Sequence, residues 1–134
     1  MAPGLRVPAR AAGLIAVLIL AAGCGEEADD TPVLDFPTVV AAEAAQAADG
    51  TWRFDVTLSS PYDTPAHYAD AWRVRDADGT VYGVRELLHD HANEQPFTRS
   101  LSGVEIPDGV TVVEIQGRDS ENGWAPEHLE FELP

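Results

Sequence analysis

The central part of the chain alternates between apolar and polar residues. The segment Thr51–Ser59 reads Thr-Trp-Arg-Phe-Asp-Val-Thr-Leu-Ser, and residues 127–133 alternate in the same way. Residues 110–115 instead form a β-branched run with little polar interruption. A period of two places the apolar side chains on one face of an extended strand, and a β-branched run is typical of a central strand. These patterns predict a β-sheet protein.

Tight turns punctuate this β-rich region at regular places. Three Asp-Gly pairs, Asp49-Gly50, Asp78-Gly79 and Asp108-Gly109, each lie between strand-like runs. Glycine adopts a positive φ angle without a Cβ clash, and aspartate tolerates that conformation, so the pairs predict short antiparallel connections.

The pattern predicts seven strands. We name them A (Thr38–Ala47), B (Thr51–Ser59), C (Tyr68–Arg75), C′ (Val81–Leu88), E (Phe97–Gly103), F (Val110–Arg118) and G (Glu127–Leu133). Residues 39–48 are rich in alanine, which by intrinsic propensity favours a helix. We predict a strand there because the tight Asp49-Gly50 turn leads directly into strand B and favours a hairpin.

The order of these strands resembles the immunoglobulin and fibronectin type III superfamily. Trp72 lies in strand C, where that superfamily keeps a core aromatic residue, and Asp119–Trp124 resembles its polar, glycine-containing F–G loop. The resemblance implies an all-β, seven-stranded antiparallel sandwich over residues 38–134. The chain departs from the pattern in having no cysteine pair and no tyrosine in strand F. Residues 94–100 also resemble segments of small secreted bacterial proteins, which implies no particular activity.

The N-terminal segment has the features of a secretion signal. Arg6 and Arg10 precede the apolar run Ala11–Ala22, which is shorter than the ~20 residues that span a bilayer as a helix. The run ends in Leu-Ala-Ala-Gly-Cys, which resembles the lipobox of bacterial lipoproteins. The resemblance implies cleavage before Cys24, diacylation of its thiol and acylation of the new N-terminus. An ordinary secretory signal with an incidental cysteine is the alternative.

Processing of this kind would divide the chain into three parts. Residues 1–23 are the predicted signal peptide, residues 24–37 a disordered acidic tether, and residues 38–134 the sandwich domain. After cleavage, 6 arginines would face 23 acidic residues, a formal charge of −17 compared with −15 for the whole chain. So acidic a protein lacks the basic surface that nucleic acids require. We expect a lipid-anchored location in the cell envelope, facing the periplasm or the exterior, and Gly25 after Cys24 favours the outer membrane.

The longer connections of the predicted sandwich fall at one end. They are Ser60–His67 (B–C), His89–Pro96 (C′–E) and Asp119–Pro126 (F–G), whereas the three Asp-Gly turns lie at the other end. Because functional residues gather on loops held by a rigid scaffold, we predict that the long-loop end is the functional end.

Histidines in these loops suggest a metal site. His89 and His91 are two residues apart, so in an extended chain both rings point the same way and could chelate one ion. His67, His128 or Glu94 could supply a third ligand, and the donor set suits Zn²⁺ or Cu²⁺. A solvated polar loop without a metal is the alternative.

Other loop residues could contact a partner. Tyr62 and Trp124 are aromatic residues that can anchor a partner protein, and Glu94 and Arg99 lie beside them in the predicted fold. Arg99 and Arg118 could orient an anionic ligand or form surface ion pairs. Trp124 could instead fold back over the end of the sandwich, and Phe97 could belong to the core.

The sequence favours binding over catalysis. It contains no nucleophile elbow, phosphate loop or dinucleotide fingerprint, so we predict that the protein is not an enzyme. The leading hypothesis is a lipid-anchored binding or accessory module that contacts an envelope protein through its long-loop end and needs no cofactor. The alternatives are a Zn- or Cu-binding lipoprotein and, third, a hydrolase.

Overall fold

Antiparallel strands build the domain, as a computed structural model shows for residues 32–134. The described strands are β1 Thr38–Gln46, β2 Trp52–Ser59, β3 Ala69–Arg75, β4 Val81–Glu86, β5 Phe97–Val104, β6 Val112–Asp119, β7 Gly123–Trp124 and β8 Leu129–Glu132. The predicted all-β class is confirmed, and the predicted strands A to G correspond to β1–β6 and β8. The predicted signal peptide and Cys24 lie outside the described residues. Residues 32–134 contain no helix with the length and hydrophobicity of a membrane span.

The strands form two sheets that enclose one core. β1, β2 and β5 form a three-stranded sheet, while β4, β3, β6 and β7 form a second sheet to which β8 adds by pairing with β6. Trp72 and Phe54 are the largest fully buried side chains, contributed by opposite sheets. The alternating residues of β2 supply much of the core, because Phe54, Val56 and Leu58 are all fully buried. The two-residue period read from the sequence therefore identifies the inner face correctly.

The alanine-rich segment is a strand, as the turn chemistry predicted. β1 pairs with β2 at eight positions, from Thr38 opposite Ser59 to Gln46 opposite Trp52. The turn is fixed by Asp49, whose Oδ1 accepts hydrogen bonds from the backbone N–H and the hydroxyl of Thr51, and by a φ of 91° at Gly50. Pairing along the whole segment outweighs the modest helical preference of its alanines.

The predicted F–G loop contains an additional short hairpin. The carboxylate of Asp119 accepts hydrogen bonds from the backbone N–H groups of Glu121 and Asn122, and Gly123 follows with a φ of 84°. This geometry turns the chain back, so that Trp124 pairs with Arg118 across β6 and β7. The expectation of one long loop from residue 119 to residue 126 was therefore wrong.

The chain before β1 lies against the second sheet. The side-chain amide of Asn122 donates to the carbonyl oxygen of Asp35 over 3.0 Å, and Pro37 is buried beside Gly117. A Cβ atom at Gly117 would lie 2.7 Å from Cγ of Pro37, so only glycine leaves room for the proline. The chain therefore enters the domain next to the β6–β7 turn, at the long-loop end.

Candidate functional site

Buried Asp63 joins two of the three long connections. Its carboxylate, 4% exposed, accepts one hydrogen bond from the backbone N–H of Ala69 and one from the backbone N–H of His91, each over 3.0 Å. The first closes the connection between β2 and β3, and the second ties that connection to the segment between β4 and β5. One carboxylate therefore holds the two connections together.

Buried Asp119 joins the third connection to the first. Its side chain is fully buried and accepts hydrogen bonds from the Tyr62 hydroxyl at 2.6 Å and from Nε2 of His67 at 2.8 Å, besides the two turn amides. Burial raises the pKa of Asp119, but these donors outweigh burial and hold the pKa below its ordinary value. The long-loop end is therefore built around an ionised carboxylate with four donors.

His67 and Tyr62 are committed to this network. Although desolvation lowers the pKa of His67, the hydrogen bond to Asp119 and the nearby carboxylates raise it above its ordinary value overall. Nδ1 of His67 faces Oε2 of Glu121 at 3.9 Å. Burial, together with donation to Asp119, raises the pKa of the Tyr62 hydroxyl well above its usual range. Both predicted site residues therefore connect loops to one another.

His89 and His91 lie side by side, as their spacing predicted. Their ring centroids are 4.9 Å apart, and the His91 ring stacks on Phe97 at 3.9 Å with an interplanar angle of 11°. Nδ1 of His89 is 2.9 Å from the carbonyl oxygen of Asp90 and must donate to it, because a carbonyl only accepts. His91 is 6% exposed, and burial, Arg99 and His89 lower its pKa.

The four predicted metal ligands are not assembled into one site. His67 is bound to Asp119, and His128 lies before β8 with its Nε2 3.4 Å from Oε2 of Glu114. Within residues 32–134, no group of three or more histidine, cysteine, aspartate and glutamate side chains is arranged to hold a metal ion. The expectation that His67 or His128 completes a site was therefore wrong, because each has a carboxylate partner elsewhere. Metal binding by His89 and His91 alone stays a prediction.

The residues predicted to bind a partner lie in different surroundings. Glu94 and Arg99 form a two-pronged ion pair at 2.9 and 3.2 Å, and the Arg99 guanidinium lies 5.5 Å from the centroid of the Phe97 ring. Trp124 is half-buried on the outer face of the second sheet, where the guanidinium carbons of Arg73 and Arg118 lie 3.9 and 5.1 Å from its ring centroid. Trp124 is thus held against the sheet and does not project from a loop tip.

A cleft opens where the edges of the two sheets meet. β4 and β5 are edge strands of different sheets, and the segment that carries His89 and His91 connects them. The cleft has a volume of about 140 Å³ and is lined by Arg85, Glu86, Leu87, Leu88, His89, His91 and Arg99. Arg85 was missed in the sequence. The alternation of the strand could have revealed it. Arg85 stands two residues before buried Leu87 and therefore lies on the same, inner side of the strand.

Comparison with known proteins shows a similarity over part of the chain. The chain is 44% identical over 71 residues to a protein of Halomicrobium mukohataei named "Putative lipoprotein". The match covers 53% of this chain and 34% of that protein, so the chain spans about a third of the length of its relative. No protein-family model matches the chain, and no solved structure matches it.

Proposed function

We propose that this protein is a lipid-anchored module of the cell envelope that binds its ligand or partner through the long-loop end of an immunoglobulin-type sandwich. The division of strands supports the fold assignment. Constant immunoglobulin domains place strands A, B and E in one sheet and C, F and G in the other, and variable domains add C′ to the latter. The chain divides its strands in the same way, with β1, β2 and β5 opposite β4, β3, β6 and β8.

The bracing of the long-loop end is the observation that carries the binding function. Asp63 and Asp119 are almost completely buried, and each joins connections that are far apart in the sequence. Burying two carboxyl groups is costly, and the cost is offset only because backbone and side-chain donors satisfy them. A sandwich whose loops only closed the fold would have no need of this arrangement, whereas a binding surface gains affinity from fixed loops.

The proposed anchor depends on Cys24 and on the relative. The segment that ends at Cys24 resembles a lipobox, and the relative is named as a lipoprotein. Two or three acyl chains would hold the domain stably at a membrane, since a single chain gives only marginal binding. The entry of the chain beside the β6–β7 turn would then direct the long-loop end toward the bilayer or along it.

Mass spectrometry of the N-terminus tests the anchor. We expect the mature protein to begin at Cys24, to carry acyl chains and to leave the membrane fraction only with detergent. Cys24→Ser is the matched variant, and we expect it to lose the acyl chains and the membrane association. A mature N-terminus elsewhere, or a membrane association that survives this substitution, would contradict the anchor.

Site-specific crosslinking tests the binding surface. A photoreactive side chain replaces Leu88, which is 83% exposed beside the cleft, or Val112, which is 40% exposed at the start of β6, at the short-turn end. In native envelopes we expect a discrete adduct from position 88 and none from position 112. The same adduct from both positions, or from neither, would contradict a binding role for the long-loop end.

A further inference from the structure

We infer that the cleft between β4 and β5 is a binding site for a small oxyanion, a phosphate or carboxylate group. The inference deepens the proposed binding function and rests on it, since it assigns a ligand chemistry to the same end of the domain. It is carried by the inner-face position of two arginines on β4 and β5, the neighbouring edge strands of the two sheets.

The two arginines occupy positions that core residues would otherwise fill. Arg85 is paired across the sheet with Trp72, which is fully buried, and Arg99 is paired with Val56, also fully buried. Opposite residues in a strand pair share a face, so both guanidinium groups start from the inner faces of their sheets. They reach the cleft from opposite sheets, and a ligand placed there would meet both.

Arg85 has no carboxylate partner among the described residues. Of the six described arginines, Arg53, Arg75, Arg99 and Arg118 form ion pairs with carboxylates. Arg73 donates to the side chain of Gln116 and lies over the Trp124 ring, whereas Arg85 donates only to the backbone carbonyl of Glu86, over 2.8 Å. The carboxylate of Glu86 is itself 3.1 Å from the Arg118 guanidinium. The Arg85 guanidinium therefore keeps N–H donors that no carboxylate of the described residues uses, on a domain whose overall charge is strongly negative.

His91 adds a side chain to the cleft that is not fully satisfied by hydrogen bonds from the described residues. His91 is almost fully buried, and its Nδ1 has no hydrogen-bond partner in the described part of the chain. Its ring is held flat against Phe97, and the backbone N–H of His91 is fixed by Asp63. Leaving this nitrogen without a partner is costly, and the His91 ring also lines the cleft, so a ligand bound there would contact a ring held in a fixed position. The guanidinium of Arg85 favours an oxyanion and repels a divalent cation.

Titration of the full-length chain in non-ionic detergent tests the site, with histidine ring resonances as the readout. Sodium phosphate and sodium acetate serve as probes, with sodium chloride keeping the ionic strength constant. We expect saturable shifts for His89 and His91 and none for His67 and His128. Vesicles with and without phosphatidylglycerol show whether a lipid headgroup also supplies the anion, and a response to the free ion, to the headgroup or to both supports the site.

Two variants distinguish anion binding in the cleft from a general effect of positive charge on the protein. Arg85→Gln removes the unpaired guanidinium, and we expect it to weaken binding at least tenfold. Arg53→Gln removes the same charge from an arginine on β2 whose side chain is 55% exposed, and we expect unchanged binding. If Arg85→Gln does not fold, Arg85→Lys keeps the charge but lacks the paired N–H donors of the guanidinium, and we expect it to bind more weakly than wild type. The titration of the wild type tests the site independently of both variants.

Three results of the anion titrations would overturn the inference. They are the absence of a saturable shift with every probe, equal shifts at all four histidines, and an equal loss of affinity in the two variants. Saturation by Zn²⁺ or Cu²⁺ in place of the anions would also overturn it and would favour a metal site at His89 and His91. None of these results changes the crosslinking outcome at position 88, so failure of the anion site is distinguishable from failure of the proposed function.

Discussion

Replacing Asp119 with asparagine tests whether the buried carboxylate holds the long-loop end together. The substitution preserves size but removes the charge and replaces one acceptor oxygen with an amide group. The remaining oxygen can accept either from Tyr62 or, with the amide turned over, from His67 and the backbone N–H groups of Glu121 and Asn122. A hydrogen bond to a charged acceptor contributes about 1 kcal/mol more than a neutral one, so removing the charge from four such bonds predicts a loss of about 3 kcal/mol in the free energy of unfolding. For a domain of about 100 residues this corresponds to a decrease in Tm on the order of 15 °C.

The pH dependence of this loss has a definite sign. Because the pKa of Asp119 is lowered in the folded state, its stabilising effect is present above its unfolded pKa of about 4 and disappears as the pH falls through the lower folded value. Because the pKa of His67 is raised on folding, the charged pair is complete below about pH 6.5 and is lost as the pH rises through the raised value. The difference between wild type and Asp119→Asn should therefore be largest between about pH 4.5 and 6.5.

Urea unfolding followed by tryptophan fluorescence across this pH range measures the effect. Asp108→Asn is the matched control, since Asp108 lies in an exposed turn and should change the free energy of unfolding by less than about 0.5 kcal/mol. A loss below about 1 kcal/mol in Asp119→Asn, or a difference that does not vary with pH, would refute this account of the network.

Three further outcomes follow from the structure. Gly117→Ala should lower the free energy of unfolding by about 1–3 kcal/mol in urea titrations, because its Cβ would lie 2.7 Å from Cγ of Pro37. Combining it with Pro37→Ala should restore part of the loss, whereas simply additive effects of the two substitutions would contradict the clash. The Tm measured by calorimetry should rise between about 0.02 and 1 M NaCl, because salt screens the repulsion among 23 acidic residues; a falling Tm would contradict this. Zn²⁺ should bind more weakly than it does to sites with three protein ligands, and joint replacement of His89 and His91 by alanine should abolish any binding. Tight binding that survives this replacement would place the metal elsewhere.

The strands were predictable because their signals are local. The alternation in Thr51–Ser59 is a property of consecutive residues, and so is the Asp49-Gly50 turn. The β6–β7 turn was not predictable in this way. Its formation depends on the carboxylate of Asp119 folding back onto two following amides, and the same residues also suit an open polar loop.

The candidate site was predictable only in part, because pairings between distant residues decide it. Spacing alone brought His89 and His91 together. The partners of His67 and His128 are 52 and 14 residues away in the chain, and no periodicity indicates which carboxylate a histidine will meet. Arg85 was overlooked because an arginine in a strand is ordinarily assigned to the solvent side, whereas at a sheet edge its long stem can follow the inner face and carry its charge outward.

The alanine side chains of β1 have a consequence for how the domain opens. Their methyl groups remove little apolar surface from water, so β1 is held mainly by its backbone pairing with β2. Elements with few buried contacts separate at the lowest free energy, and amide hydrogens of β1 should therefore exchange with solvent before those of the central strands. A force applied to the N-terminus would act first on the pairing between β1 and β2. We therefore expect β1 to separate from the sheet while the core around Trp72 stays intact.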